Sequence, residues 1–386
     1  MHSRRTRLVH SGHDVETSRG FVNVPAFRGS TVLYPDMASL RSFNQRYTYG
    51  THGTPTTDAL ASAWTELAGA AGTALVPSGL AAIAMALQTA VKAGDHLLMT
   101  DSAYSPARRF AEQVLRPLGV ETTYYDPALG AGVSDLMRGN TRAILTEAPG
   151  SQSLDMQDIP AIAEAARRRG VCVIMDNTWA TPLFFPPHAR GVDLAIEAGT
   201  KYLSGHSDLL LGLVSANQEW WPRLKAYVDL YGIPPGPEDT FLALRGLRTM
   251  ELRLKEAERQ ALALAQWLET RPEVKRVIHP ALPSHPGHEI WKRDFLGSSG
   301  LFSIVLQPAP DQAVAAMLDG LELFGLGYSW GGYESLIIPF DCSTYRTATK
   351  WAPGGPTLRL QVGLEDIEDL KEDLAQGFAR LVKHGA

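Results

Sequence analysis

Between Arg142 and Ala216 the chain carries RAILTE (142–147), IPAIAEAARRRG (159–170), VCVIMD (171–176), LAIEAG (194–199) and LLLGLVSA (209–216). Four of these runs are apolar on both faces and too short for helices. The fifth has helical spacing and stops at Gly170. Strands apolar on both faces belong in a sheet that helices cover on both sides, so the stretch predicts an α/β fold with a mostly parallel sheet. The alternation extends toward the N-terminus. DALASAWTELAGA (58–70) and GLAAIAMALQTAV (79–91) predict helices, HLLMTD (96–101) a strand, and SPARRFAEQVLRPLG (105–119) a further helix.

The loop YGIPPGPED (231–239) interrupts this pattern, and a long helical stretch then runs from Thr240 to about Thr270. Beyond it VKRVIHP (274–280), GLFSIVLQP (300–308) and TLRLQVGLE (357–365) read as strands. DQAVAAML (311–318) and DIEDLKEDLAQGFARLV (366–382) read as helices, which suggests a smaller α+β domain. The first 50 residues show little helical period and several turn formers, the pattern of an extended arm. The expected division is an arm over 1–51, a large domain over 52–246 and a C-terminal α+β domain over 247–386.

The length of 386 residues suits two domains, and the 45% hydrophobic and 20% charged content is that of a globular chain with a sizeable core. A disordered, collagenous or disulfide-stapled chain is excluded. Lys plus Arg number 36 against 41 Asp plus Glu, a net charge of −5, so no whole-chain electrostatic case exists for nucleic acid or an anionic membrane. The two cysteines, Cys172 and Cys342, fit a reducing compartment, and Cys172 inside VCVIMD reads as a buried, inert thiol. No apolar run approaches the roughly 18–20 residues of a membrane span. Arg4, Arg5 and Arg7 have no apolar segment behind them, and Asp14 and Glu16 follow, so no targeting peptide is expected and the cytoplasm is the expected compartment.

Ligands of open α/β sheets bind beyond the carboxyl ends of the strands. Those ends here lead to Asp101, Ser102 and Tyr104, to Glu147, to Asp176 and Asn177, and to Thr200 and Lys201. Lys201, in EAGTKYLSGHSD, is either a solvated strand-end lysine or a desolvated amine of lowered pKa suited to Schiff-base chemistry. Asp176 ends a neighbouring strand, where a carboxylate could keep a pyridinium nitrogen protonated, as a pyridoxal phosphate electron sink requires. In VPSGLAAIAMAL, Ser78 and Gly79 stand where a loop enters an apolar helix. That is an ordinary cap, or a phosphate site using the unpaired N–H groups and the positive helix end. Tyr104 could stack on a cofactor ring or simply pack.

Taken in order, SGLAA, DSAYSP, EAPGS, DNTWATPLFF, GTKYLSGHSD, RGLRTMELRL, SWGGYESL and LRLQVGLED resemble the Cys/Met-metabolism family of pyridoxal-phosphate enzymes, from about Tyr49 to Leu370. The resemblance implies a large cofactor domain with a mostly parallel, seven-stranded sheet between helices (the aspartate-aminotransferase-like fold type I) and a smaller C-terminal α+β domain. It also implies pyridoxal 5'-phosphate as cofactor and a homotetramer of dimers that share active sites. Lys201 would be the cofactor-linking lysine and Asp176 the pyridine-nitrogen partner. Tyr104 would stack on the ring and act in catalysis, and Ser78, Gly79, Leu80 and Thr200 would hold the phosphate. Arg359 would clamp the substrate carboxylate as a bidentate fork. Ser329 and Trp330 would line the substrate pocket, and Tyr49 would reach across to the neighbouring subunit's phosphate and substrate.

The family usually has arginine two residues after that tyrosine, where this chain has Thr51 followed by His52; His52 is the candidate for a replacement contact. The triplet His279, His285 and His288 lies in a Pro-rich loop without further ligand spacing, and no metal is expected. The implied reaction is carbon–sulfur β-elimination, cystathionine to homocysteine, pyruvate and ammonia, in methionine biosynthesis. The alternatives are a γ-lyase or γ-synthase, a cystine or cysteine S-conjugate β-lyase, and a non-enzymatic scaffold. γ-Cleaving relatives usually carry leucine at the position of Trp330, which favours the β-reaction.

Overall fold

The computed structural model describes residues 3–16 and 18–385. Its larger sheet consists of β1 (Gly72–Val76), β2 (His96–Thr100), β3 (Glu121–Tyr125), β4 (Thr141–Glu147), β5 (Cys172–Asp176), β6 (Leu194–Ala198) and β7 (Gly212–Ala216). The spatial order is β1-β7-β6-β5-β4-β2-β3. Strands β2 to β6 run parallel, whereas β7 is antiparallel to both of its neighbours, β6 and β1. Alternate residues feed two cores. Val76, Ile196 and Val214 meet Ala82, Ile83, Ala86 and Leu87 of the helix Gly79–Ala90 on one face. Val173 and Leu213 share the opposite core with Leu60 and Trp64 of the helix Pro55–Ala68. Both faces are dry, which is why these strands carry no polar alternation.

From β2 the chain moves outward to β3 and then returns to the other side of β2 as β4. This reversal opens a crevice at the carboxyl ends of β2 and β4, the usual ligand position in a sheet of this kind.

The smaller sheet holds β8 (Val274–Ile278), β9 (Leu301–Leu306), β10 (Gly325–Leu326), β11 (Leu336–Pro339) and β12 (Thr357–Gln361) in the order β10-β11-β12-β9-β8. It is antiparallel except for the β10–β11 pair. Phe302 of β9 and Phe378 of the helix Ile367–Gly385 belong to the same continuous core as Trp64. Trp179 Nε1 donates to the Leu301 carbonyl at 2.9 Å, which fastens the two sheets directly. Among the described residues no helix is long and apolar enough to cross a membrane.

Several local expectations need correction. The N-terminal arm is not wholly extended: it contains helices Arg4–His10 and Met37–Ser42, capped by Ser3 and Asp36, whose side chains accept from Thr6 N and Ser39 N. Both are too short to impose a visible period. The helix expected from Thr240 to Thr270 is two helices, Pro237–Leu247 and Met250–Glu269. At the break the Gly246 carbonyl accepts from Thr249 N (3.1 Å), Thr249 Oγ1 (3.3 Å) and Arg253 Nη2 (2.7 Å), so it is not left to continue the regular ladder. The helix beginning at Ser105 widens into a π-turn over Ala111–Leu115. Strands β1, β3, β10 and β11 and the helix Trp221–Tyr231 were not anticipated. β3 (ETTYY) is a sheet edge whose outer residues are polar and half exposed, so it lacks an aliphatic run.

Candidate active site

Lys201 follows β6 in a tight turn, with its N–H donating to Ala198 O at 3.0 Å and its carbonyl accepting from Gly205 N at 2.8 Å. Gly205 has φ +71°, and a Cβ there would collide with the Arg253 guanidinium. That guanidinium donates to the carbonyls of Tyr202 (2.7 Å) and Leu203 (3.2 Å), which locks the turn from below. The Lys201 amine donates to Ser329 Oγ at 2.8 Å and stands 5.4 Å from the Trp330 ring centroid. Burial, and then the nearby positive charge of Arg359, pushes the amine down to about 8, against the partial support of Asp176. The turn is closed at its far end by Thr200, whose hydroxyl donates to Leu211 O (3.3 Å) and accepts from Leu211 N (3.1 Å).

Asp176, at the end of β5, accepts from Thr178 N (3.0 Å) and Thr178 Oγ1 (2.6 Å), both on Oδ1. Among the described residues no protein donor reaches Oδ2. Burial raises this carboxyl, and the Thr178 bonds and Lys201 only partly offset it. In register beside it, Glu147 of β4 is pushed well above the ordinary glutamate range by burial and then by Asp176. Glu147 accepts the backbone N–H of Tyr104 at 2.7 Å and so bridges the crevice between β4 and β2. Tyr104 leaves 43% of its surface open. Its hydroxyl is raised by burial and by Asp176 and Glu147, with Arg359 opposing.

Ser78 caps the helix Gly79–Ala90, its Oγ accepting from Ala81 N at 3.1 Å, while Leu80 is exposed beside it. The helix start rests on β7: a Cβ on Gly212 would overlap the Ser78 carbonyl oxygen. From the smaller sheet, Arg359 on β12 is only 7% exposed, and its Nη2 donates to the carbonyls of Tyr328 (2.9 Å) and Ser329 (3.0 Å). Its buried Nε has no acceptor among the described residues, and burial pushes the guanidinium down to about 10. Trp330 packs on Tyr202 with ring centroids 5.4 Å apart.

Lys201, Asp176, Tyr104, Arg359, Ser329 and Trp330 are therefore brought together, with Ser78, Gly79, Leu80 and Thr200 adjoining through β7. Tyr49 is not in this group: it lies half exposed on the arm, bridged to Thr31, and among the described residues no hydrogen bond joins it to the Lys201 cluster. His52 is engaged by Thr48, with Oγ1 and Nδ1 3.0 Å apart. The His279 and His285 rings are buried and accept backbone N–H groups from Ala281 and Gly287, and the His288 ring hydrogen-bonds the Pro280 carbonyl. A groove of about 900 Å³ lies between the helix Asp311–Asp319 and residues 339–357 and shares no residue with the Lys201 cluster.

Three participants escaped the sequence reading. Glu147 was visible as a strand end but had no assigned role. Arg253 sits in a helical run, where nothing distinguishes it from a solvated arginine. Glu197 is buried on β6 with neither carboxyl oxygen paired among the described residues, and burial followed by Asp176 pushes it well above the normal range. Its signal was a lone charge inside LAIEAG.

The residues present fit a pyridoxal phosphate group. Asp176 offers an unused oxygen, Lys201 a desolvated amine, Arg359 an orphaned buried Nε and the helix Gly79–Ala90 its positive N-terminal end. A seven-stranded, mostly parallel sheet carrying a lysine, an aspartate and a helix start in these places defines a fold type I pyridoxal-phosphate enzyme.

Residues 5–379 match the model of the Cys/Met metabolism PLP-dependent enzyme family, and the chain belongs to that family. A Rhizobium johnstonii protein provisionally named a cystathionine β-lyase is 54% identical over 378 residues, covering 97% of this chain and 95% of that one. The cystathionine β-lyase of Salmonella typhimurium is 41% identical over 388 residues, with 98% of each chain covered. The crystal structure of cystathionine γ-synthase from Xanthomonas oryzae pv. oryzae in complex with cystathionine superposes with a TM-score of 0.92 at 30% identity over the whole of both chains.

Proposed function

We propose that the protein is a pyridoxal-phosphate-dependent carbon–sulfur lyase that cleaves cystathionine by β-elimination to homocysteine, pyruvate and ammonia. The observation that carries this reading is the Lys201 amine held on Ser329 Oγ with Trp330 and Arg359 at the same loop. The names of the Rhizobium and Salmonella relatives support it.

The cofactor, when bound, supplies an electron sink for negative charge at the substrate Cα. Asp176 would keep the pyridine nitrogen protonated through Oδ2. Ser78, Gly79, Leu80 and Thr200 would seat the phosphate at the helix start, where N–H groups and the helix dipole favour an anion. Tyr104 would face the ring. Arg359 would grip the α-carboxylate as a fork, using the Nε that has no protein acceptor. Lys201 would take the Cα proton and deliver it to the departing sulfur, with Ser329 fixing the direction of its amine.

β-Elimination needs one deprotonation, at Cα, whereas γ-elimination needs a second at Cβ. The Trp330 indole beside Arg359 would restrict the substrate to a pose that suits the first reaction. The domain division at 51 and 246 is proposed with this reading. So are a cytoplasmic setting for the two unpaired, buried cysteines and a homotetramer of dimers in which Tyr49 completes a neighbour's site. The arm supports the last point, because Phe21, Val22 and Leu33 are 76–86% exposed within one chain. Product analysis with cystathionine tests the function: pyruvate with homocysteine supports it, and 2-oxobutyrate with cysteine overturns it.

A further inference from the structure

Asp101, directly after β2 and three residues before Tyr104, is completely buried and collects an unusual number of donors from the other sheet's territory. Its carboxylate accepts from Thr347 N (3.0 Å), Ala348 N (3.1 Å), Thr349 N (2.8 Å) and Thr349 Oγ1 (2.7 Å). It also pairs with the buried Arg108 at 3.0 Å. The donors sit on residues 340–356, a strap that joins β11 to β12.

The strap is stitched at two further points. Arg108 also donates to the Tyr345 carbonyl and lies 3.6 Å from the Tyr124 ring centroid. Arg346 bonds Ser153 and Asp155, whose loop is itself tied to the Asp101–Tyr104 segment by Ser151 N on Ser102 O at 2.9 Å. Burial alone would raise the Asp101 carboxyl, but the donors from Thr347, Thr349 and Ala348 outweigh it and leave the group below the ordinary aspartate range. A carboxylate is therefore buried in charged form, with charge-assisted bonds of about twice the ordinary strength in every direction.

The strap lies between two parts of the candidate site. Its C-terminal end runs into β12, which carries Arg359. Its Tyr345 is near enough to Glu147 for a charge there to raise its hydroxyl, and Glu147 holds the Tyr104 N–H. We infer that Asp101 is a positioning residue that fastens the strap, fixes the spacing between Tyr104 and Arg359, and thereby sets affinity for the amino acid rather than the rate of bond cleavage. This rests on the roles proposed above for Tyr104 and Arg359. The strap bears on Tyr104 and Arg359, proposed to face the ring and grip the carboxylate, whereas Lys201, the proposed proton carrier, is held from the larger sheet through Thr200 and Leu211.

The test compares wild-type holoenzyme with Asp101→Asn and with the double variant Thr347→Val/Thr349→Val. The double variant keeps the backbone donors and side-chain volume and serves if Asp101→Asn does not fold. Amide hydrogen exchange over 345–349 reports the fastening. Titration of the cofactor's visible absorbance with L-alanine, which has no sulfur to lose, reports affinity independently of the bond cleaved. The expected result is exchange faster by about tenfold and L-alanine affinity weaker by about tenfold, with kcat on cystathionine within about twofold of wild type. Faster exchange with unchanged L-alanine affinity would overturn the inference, and so would unchanged exchange in both variants. A wild-type enzyme that makes no pyruvate from cystathionine would sink the β-lyase reading alone, because the L-alanine titration would still decide the role of Asp101.

Discussion

Stripped of cofactor, the protein should present one lysine that titrates far below the ordinary lysine value. Burial and the Arg359 charge push the Lys201 amine down to about 8, while Asp176 pulls the other way. An ordinary lysine with pKa about 10.4 is neutral in only about 0.4% of molecules at pH 8, so Lys201 would offer on the order of a hundredfold more free amine there. The difference corresponds to about 3 kcal/mol of selective destabilisation of the ammonium form. Carbon-13 methylation of the apoprotein followed by NMR titration would isolate this group. Asp176→Asn should lower the midpoint further, and Arg359→Leu should raise it. The stability sign follows: the unfolded chain keeps this proton up to about pH 10.4, so the apoprotein gains stability as pH climbs from about 8 toward that value. A Lys201 midpoint near that of free lysine, or an upward shift in Asp176→Asn, would refute the electrostatic account.

Three other outcomes are expected. Trp330→Ala should lose about 1–3 kcal/mol of transition-state stabilisation in β-elimination, read as a fall in kcat/KM with pyruvate as product; an unchanged kcat/KM would make the indole a packing group. Glu197→Gln should match wild type in stability below about pH 4 and exceed it at neutral pH. Glu197 is held neutral by burial in the folded state but ionises in the unfolded one, so wild type loses stability as pH rises above the ordinary glutamate value. Equal thermal midpoints at pH 7 would contradict this. Mixing Tyr49→Phe with Lys201→Ala subunits should restore part of the activity each lacks, and verified hybrids without rescue would argue against a shared site.

The dry strands β2 and β4 to β7 were legible because burial on both faces leaves an unbroken aliphatic run such as VCVIMD. Edge strand β3 was not, because its outward residues are polar and it has no aliphatic run, although its threonines and tyrosines are strand formers. Lys201 and Asp176 could be named from the sequence, since a charge that closes an apolar strand is conspicuous. Arg253, Glu147 and Asp101 act through contacts with residues 43 to 248 positions away in the chain, and no local pattern encodes such partners. The helix break at Arg248-Thr249 depends likewise on Arg253 folding back onto the Gly246 carbonyl.

The β6–β7 hairpin has an evolutionary corollary. Thr200 and Leu211 are cross-bonded, and Gly212 lies under Ser78, so the separation between the amine and the helix start is set by the backbone of one sheet. The groups proposed to recognise the rest of the substrate, Ser329, Trp330 and Arg359, arrive from the other sheet. Specificity can therefore drift through changes in one half of the gene while the groups proposed to hold the cofactor are inherited intact in the other. A chain built this way is a natural ancestor for enzymes that share a cofactor and differ in which bond they break.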